Sequence, residues 1–123
     1  MEISQAVAAV GHAADACALV DLDTVPTQEV RDGLAEFRTA ISRLEAQFAR
    51  IAHAANKAGA HLGTGARDTA EWIGQQTGTS TVKNRAASDL GEAMAKSEPL
   101  ANAVTTGRIS NEKPTPPSAP PTG

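Results

Sequence analysis

The chain has 123 residues, with 11 basic and 14 acidic side chains, a single cysteine and three aromatic residues. The lone Cys17 excludes an internal disulfide, and the net charge of −3 supplies no basic excess of the kind that nucleic-acid-binding domains normally carry. Apolar residues make up 41% of the chain, but much of this share is alanine, so we expect high helix content around a thin core.

Residues 1–25 predict a first helix and a loop. The helix carries a weak apolar stripe formed by Ile3, Val7, Val10, Ala14 and Cys17. A signal peptide is not expected, because the N-terminus has no basic region and is interrupted by His12 and Asp15. No apolar run approaches membrane-spanning length, and we therefore expect a cytoplasmic protein without a membrane partner.

Residues 26–59 predict one long helix. Pro26 and Thr27 mark its start and Gly59 its end, which gives a length of about 45–50 Å at the usual rise per residue. Its apolar residues alternate steps of four and three, as in a coiled coil. This heptad stripe consists of Val30, Leu34, Phe37, Ile41, Leu44, Phe48 and Ile51, and is continued by Ala55 and Ala58.

The heptad stripe fits two arrangements. In the first, the N-terminal helix folds back through the Asp21-to-Pro26 loop and forms an antiparallel hairpin with the long helix. In the second, the heptad stripe is the interface of a homodimer. Because a heptad pattern suits a partner from the same chain or from another chain, both arrangements stay open at this stage.

Residues 60–110 predict a small unit resembling a helix-turn-helix. Asp68 and Glu71 fit a capping box at the start of a short helix, and Gly78 suits the tight turn that ends it. Ser80 is placed to cap a second helix, expected from Thr81 to about Ala95. The predicted anchors of the short helix are Trp72 and Ile73, and the predicted buried face of the second is Val82, Ala86, Leu90 and Met94.

A further helix is predicted after Ser97, with Pro99 in its tolerated first turn and Gly107 at its end. Arg108, Ile109 and Ser110 then lead toward one more helix. Residues 111–123 are rich in proline and predict a disordered, partly polyproline II tail.

The start of the second helix of this unit is the candidate DNA-binding site, formed by Thr81, Lys83, Asn84 and Arg85. At the beginning of a recognition helix, Asn and Arg can read base edges in the major groove, and Lys can contact a phosphate. An ordinary solvated helix face is the alternative interpretation of the same residues.

Three separated motifs resemble those of a known family. They are the run from Gly65 to Ile73, the Thr77-Gly78-Thr79-Ser80 turn, and Glu98-Pro99-Leu100-Ala101 with Gly107-Arg108-Ile109-Ser110. Together they resemble domain of unknown function 222, the thirteen-E-twelve repeat family, which precedes HNH endonuclease domains in actinobacteria and their phages. The resemblance implies an all-helical, nucleic-acid-associated module.

The chain departs from that family at two places. The family usually carries a dense arginine cluster after the Thr-Gly turn, whereas this chain has Lys83 and Arg85 followed by Asp89 and Glu92. Proline-rich sequence follows Lys113, where the family domain would continue toward a nuclease. Nuclease chemistry is therefore not carried over, and we expect no enzyme activity.

The remaining polar motifs do not predict a metal, a cofactor or a small-molecule substrate. His53, Asn56 and His61 repeat the letters of an HNH site, but the first two share a helix and cannot form the β-hairpin that such a site needs. The Gly63-Thr64-Gly65 segment lacks the strand and the later lysine of a phosphate loop, so we interpret it as a structural turn.

The sequence thus predicts an all-α protein with two functional hypotheses. The first is a noncatalytic DNA-associated module, accessory to an HNH-type nuclease system. The alternative is an oligomerisation or adaptor protein that acts through the heptad stripe without nucleic acid. Salt-dependent binding to duplex DNA distinguishes the first from the second.

Overall fold

The structure, a computed structural model, describes residues 1–107, and its described residues contain five α-helices and no strand. The all-α prediction is confirmed. The predicted lead-in at Arg108-Ile109-Ser110 and the predicted tail at 111–123 lie outside the described residues. The helices are α1 (Ile3–Ala18), α2 (Thr27–Lys57), α3 (Thr69–Thr77), α4 (Thr81–Lys96) and α5 (Glu98–Thr105).

The chain divides into two compact units, Met1–Ala35 and Glu36–Gly123. In the first unit, every α1 residue is exposed, and only Val25 is even partly buried. Within this unit, α1 buries none of its apolar stripe against residues 27–35 of α2. The antiparallel hairpin with the whole of α2 stays a prediction. The Asp21 carboxylate caps a short 3₁₀ turn at Leu22–Thr24, accepting from the Asp23 N–H at 3.2 Å.

In the second unit, α2 contributes a face of small residues to the core. Ala46, Ala49 and Ala52 are buried and lie three residues apart, so they form one narrow stripe. Ala46 and Ala49 of this stripe pack with Leu90 and Met94 of α4 and Val104 of α5. The core is thin, as its alanine content predicts, and the larger side chains of the heptad stripe remain outside it.

The crossing of α2 and α4 depends on Gly91. A Cβ atom at this position would collide with the Ala49 carbonyl oxygen and would lie 2.8 Å from the Ala49 carbonyl carbon and from His53 Cβ. The two backbones therefore meet almost directly, because neither Gly91 nor Ala49 has a side chain large enough to separate them.

The buried face of α4 differs from the prediction. Leu90 and Met94 are buried as expected, but Val82 and Ala86 are exposed, while Asn84 and Gly91 are buried. The prediction followed apolar residues at four-residue spacing, whereas the observed face is set by contacts with α2 and α3. A polar residue and a glycine can occupy such a face where hydrogen bonding or close backbone approach requires them.

Residues of the last helix behave as the sequence predicts. The Ser97 hydroxyl oxygen accepts from the Leu100 N–H at 3.3 Å and caps α5, with Pro99 in the first turn. Gly107 follows the helix with φ of +77°. Among residues 1–107, no helix is both long enough and apolar enough to span a membrane.

Candidate nucleic-acid interface

The α3–turn–α4 segment has the caps that its sequence predicts. The Asp68 carboxylate accepts from the Glu71 N–H at 2.9 Å and begins α3. Gly78 ends α3 with φ of +73°, a left-handed conformation that glycine adopts without steric cost. The Ser80 hydroxyl oxygen then accepts from the Lys83 N–H at 3.3 Å and begins α4. The three caps fix both ends of α3 and the start of α4.

One detail of the predicted capping box is wrong. The capping box requires the Glu71 carboxylate to accept from the Asp68 N–H. It accepts instead from Arg67, from Nε at 2.9 Å and from the backbone N–H at 3.4 Å. The Glu71 carboxylate takes this position because Arg67 offers two donors, its charged guanidinium and its own backbone N–H.

The junction between α3 and α4 is close and hydrogen-bonded. A Cβ atom at Gly74 would lie 2.9 Å from the Thr79 carbonyl oxygen and 3.1 Å from Thr81 Oγ1. The Asn84 carboxamide donates to the Ala70 carbonyl oxygen at 3.4 Å and to Thr79 Oγ1 at 2.9 Å. The glycine thus permits the close approach, and the asparagine joins α4 to both α3 and the turn.

The predicted DNA-binding residues separate into two groups. Lys83 and Arg85 are exposed, and Thr81 is partly buried at the first position of α4. Asn84 is only 6% exposed, and both of its side-chain hydrogen bonds serve the α3–α4 junction. Its assignment as a base-reading residue is therefore wrong, because its donors are already used and face inward.

Two exposed residues beside this site were missed by the sequence analysis. Val82 is 74% exposed, and Ala86 is exposed one turn further along α4. Both had been assigned to the core because of their spacing from Leu90. The sequence carried no signal for this, because a polar Asn84 on the opposite face of the helix favours an exposed Asn84 and a buried Val82 and Ala86.

A groove of about 630 Å³ runs between α2 and α4 beside these residues. Glu45 and Phe48 of α2 form one wall, and Lys83, Ala86 and Leu90 contribute to the other. The groove thus has an apolar floor with one acidic and one basic side chain in its lining.

Electrostatics at the junction centre on Asp68. Arg85 Nη2 lies 2.9 Å from Asp68 Oδ2, which links the exposed part of α4 to the cap of α3. The hydrogen bond from the Glu71 N–H is the main cause that lowers the pKa of the Asp68 carboxyl; burial opposes it, and the Arg85 guanidinium adds to the lowering. Of the two cationic side chains in the candidate site, Arg85 is therefore already in an ion pair with a carboxylate.

Replacing this carboxylate by an amide is expected to make stability less dependent on pH. Because the Asp68 pKa is lower in the folded chain than in the unfolded chain, its stabilising charge is present above the unfolded value of about 4 and is lost as the pH falls through the folded value. We expect Asp68→Asn to reduce the free energy of unfolding near pH 6, and the difference from wild type to be smaller near pH 3. Urea unfolding at both pH values measures it.

Glu92→Gln is the matched control for this pH test, since it removes a carboxylate from an exposed pair with Lys96. We expect that control to change the free energy of unfolding by less than about 0.5 kcal/mol. A difference between Asp68→Asn and wild type that stays constant with pH would contradict the assigned role.

The other polar motifs have local partners. His61 Nδ1 lies 3.3 Å from Thr69 Oγ1, and the Asn56 carboxamide oxygen accepts from the Thr69 N–H at 3.4 Å. Gly63 and Gly65 both have positive φ, in keeping with a structural turn. Within residues 1–107, no group of three or more His, Cys, Asp or Glu side chains is placed to hold a metal ion.

The fold and site together define an all-α chain in which two capped helices, joined by a tight glycine turn, expose a short basic segment. Comparison with known proteins returns no matching protein-family model, curated protein or solved structure.

Proposed function

We propose that the chain is a noncatalytic DNA-associated module in which the first turns of α4 approach duplex DNA. The observation that carries this proposal is the α3–α4 junction, where Gly74 and Asn84 hold a helix at a fixed place while Lys83 and Arg85 remain exposed. A helix supported in this way can be presented to a major groove without reordering.

The exposed side chains suggest a division of roles. Lys83 suits a phosphate oxygen, and Arg85 suits a phosphate or the acceptors of a guanine edge once it leaves Asp68. Val82 and Ala86, which replace Asn84 in the revised site, suit apolar contact with a thymine methyl group. The revised candidate site is therefore Thr81, Val82, Lys83, Arg85 and Ala86.

The charge of the chain limits the expected affinity. Residues 61–123 contain six basic and six acidic side chains, so electrostatic attraction to the duplex comes from a local patch. With only two cations at the site, we expect weak binding and a shallow dependence on salt, since each phosphate contact adds about one unit to the slope.

The family resemblance supports the same proposal from a separate direction. The motifs from Gly65 to Ile73 and from Thr77 to Ser80 resemble the domain that precedes HNH endonucleases. We therefore propose an accessory role in such a system, with the nuclease chemistry supplied by another domain or protein.

Fluorescence anisotropy of a labelled duplex, titrated with the full chain at low and moderate salt, tests the proposal. We expect salt-sensitive binding that falls at least about ten-fold in the double variant Lys83→Ala, Arg85→Ala. The matched control is Arg50→Ala with Lys96→Ala, which also removes one Arg and one Lys, from positions outside the site.

Circular dichroism of each variant shows whether its helices are retained. This control is needed because Arg85→Ala also removes the ion pair with Asp68, which caps α3. Equal loss of binding in the site and control variants would point to nonspecific attraction. No binding of the wild-type chain at tens of micromolar would overturn the DNA proposal and favour the oligomerisation or adaptor alternative, for which the exposed heptad stripe is the supporting observation.

A further inference from the structure

We propose that α2 pairs with α2 of a second copy of this chain in antiparallel orientation, through the heptad stripe. The observation behind this proposal is an apolar stripe whose flanking charges are complementary only in that orientation. It does not rest on DNA binding, because the heptad stripe lies on α2 and the candidate DNA site lies on α4.

The first step is that the heptad stripe has no role in the core. Phe37 is 50% exposed and Phe48 is 43% exposed, and Leu44 and Ile51 are similarly uncovered. The face of α2 that the chain does bury is the alanine stripe at 46, 49 and 52. Large apolar side chains at coiled-coil spacing therefore remain uncovered while alanines make the contacts with α4 and α5.

The second step is the register of the stripe with itself. Turning one α2 end for end about the midpoint between Ser42 and Arg43 would place Phe37 opposite Phe48 of the second copy, and Ile41 opposite its Leu44. The same register would place Leu34 opposite Ile51. Each layer then pairs an a position of one helix with a d position of the other, as is usual where antiparallel helices form a coiled coil. No apolar residue of the stripe between 34 and 51 lacks a counterpart.

The third step is charge. Arg38 and Glu45 both follow a stripe residue directly, so they flank the heptad stripe on the same side. In the antiparallel register, Arg38 faces Glu45 of the second copy, and the two-fold symmetry produces this pair twice. A parallel arrangement would instead place Arg38 near Gly33 and Glu45 near Ala40 of the second copy, which gives no ion pair.

The groove between α2 and α4 gives this contact room. Glu45 and Phe48 line it together with Lys83, Ala86 and Ala87, and both α2 residues lie on the side where the second helix would lie. An arginine side chain arriving from a second copy could lie along this apolar wall with its guanidinium at Glu45. The groove that borders the candidate DNA site would then be partly filled by the dimer.

Sedimentation equilibrium of the full chain across a range of concentrations tests whether the pair forms. We expect a monomer–dimer equilibrium and no larger species, because a closed two-fold contact uses the stripe completely. Phe37→Ala should weaken association about a hundred-fold, since two aromatic side chains are lost per dimer. Leu19→Ala, which trims an apolar residue that is also exposed but lies outside α2, should leave association unchanged.

A charge exchange tests the orientation. Arg38→Glu should weaken association about ten-fold, because it turns two attractive pairs into two repulsive ones. Adding Glu45→Arg to the same chain should restore it, since the pairs return with opposite signs. Arg50→Glu, an equal change of charge at an exposed α2 position off the stripe, should have little effect. Circular dichroism of each variant establishes that helicity is retained.

Three outcomes would overturn the proposal. A wild-type chain that stays monomeric at hundreds of micromolar would exclude the second copy and leave a different protein as the occupant of the stripe. A dimer unaffected by Phe37→Ala would place the interface elsewhere. A dimer that the double charge exchange fails to restore would exclude the antiparallel register, even if the stripe is the interface.

Discussion

Gly91→Ala is expected to lower the free energy of unfolding by about 3 kcal/mol, near the upper end of the cost of overpacking a core. The added methyl group would collide with the Ala49 carbonyl oxygen and press on His53 Cβ. Two of the three nearest atoms, the Ala49 carbonyl carbon and oxygen, belong to the α2 backbone, which cannot turn away as a flexible side chain can. Relief therefore requires α2 and α4 to separate, and separation would also loosen the packing of Leu90 and Met94.

Urea unfolding followed by circular dichroism measures this cost. Gly33→Ala is the matched control, because Gly33 lies within α2 and a Cβ atom there would meet nothing within 4 Å. The control should be neutral or should stabilise the chain by up to about 1 kcal/mol, as alanine favours helix over glycine. If Gly91→Ala proved as harmless as the control, the close crossing of α2 and α4 would be wrong.

Asn84→Asp is expected to have the second largest effect, a loss of about 3 kcal/mol near neutral pH. The substitution keeps the shape of the side chain but replaces its amide donor by a carboxylate oxygen. That oxygen would face the Ala70 carbonyl oxygen, which now accepts a hydrogen bond from Asn84. At a position only 6% exposed, water cannot compensate for the lost bond or for the buried charge.

The stability lost in this variant should increase with pH. Burial beside a carbonyl oxygen should raise the pKa of the introduced carboxyl in the folded chain above its unfolded value. The electrostatic cost should therefore be absent below the unfolded value of about 4 and should grow as the pH rises toward the folded value. Urea unfolding near pH 4 and near pH 7 should show the variant closest to wild type at the lower pH.

Asn84→Asp also separates the structural role of Asn84 from the base-reading role that its position in the sequence suggested. Asn102→Asp makes the same chemical change at an exposed residue of α5 and serves as the control, with an expected effect of less than about 1 kcal/mol. A variant at position 84 that kept wild-type stability at neutral pH would imply that Asn84 is not held in the α3–α4 junction.

Local signals in the sequence were sufficient to predict the helices. The side chains of Asp68, Ser80 and Ser97 cap helices by accepting a hydrogen bond from the backbone N–H three residues further on, and Gly78 ends α3 in the conformation expected of it. These interactions depend on neighbours in the chain, which a sequence displays directly. The end of the long helix near Gly59 is equally local.

The faces that the helices bury were not predictable in the same way. The largest apolar pattern, the heptad stripe, predicted the contact face of α2, yet the core uses Ala46, Ala49 and Ala52. On α4, regular spacing predicted Val82 and Ala86 inside, yet Asn84 and Gly91 lie there. The size of an apolar side chain indicates how much its burial would stabilise the fold. Which face of a helix packs in the core depends instead on how closely two helix backbones can approach each other.

The sequence by itself determined the all-α class, the positions at which helices begin and end, and the existence of two competing surfaces, one basic and one apolar. These features follow from caps, turns and periodicity, all of which act within a few residues. Only the tertiary structure decided that Asn84 is structural, that Val82 and Ala86 face outward, and that the heptad stripe remains uncovered. Those outcomes depend on Gly74 and Gly91, where the missing side chains let helices approach each other, and that effect arises between segments distant in the sequence.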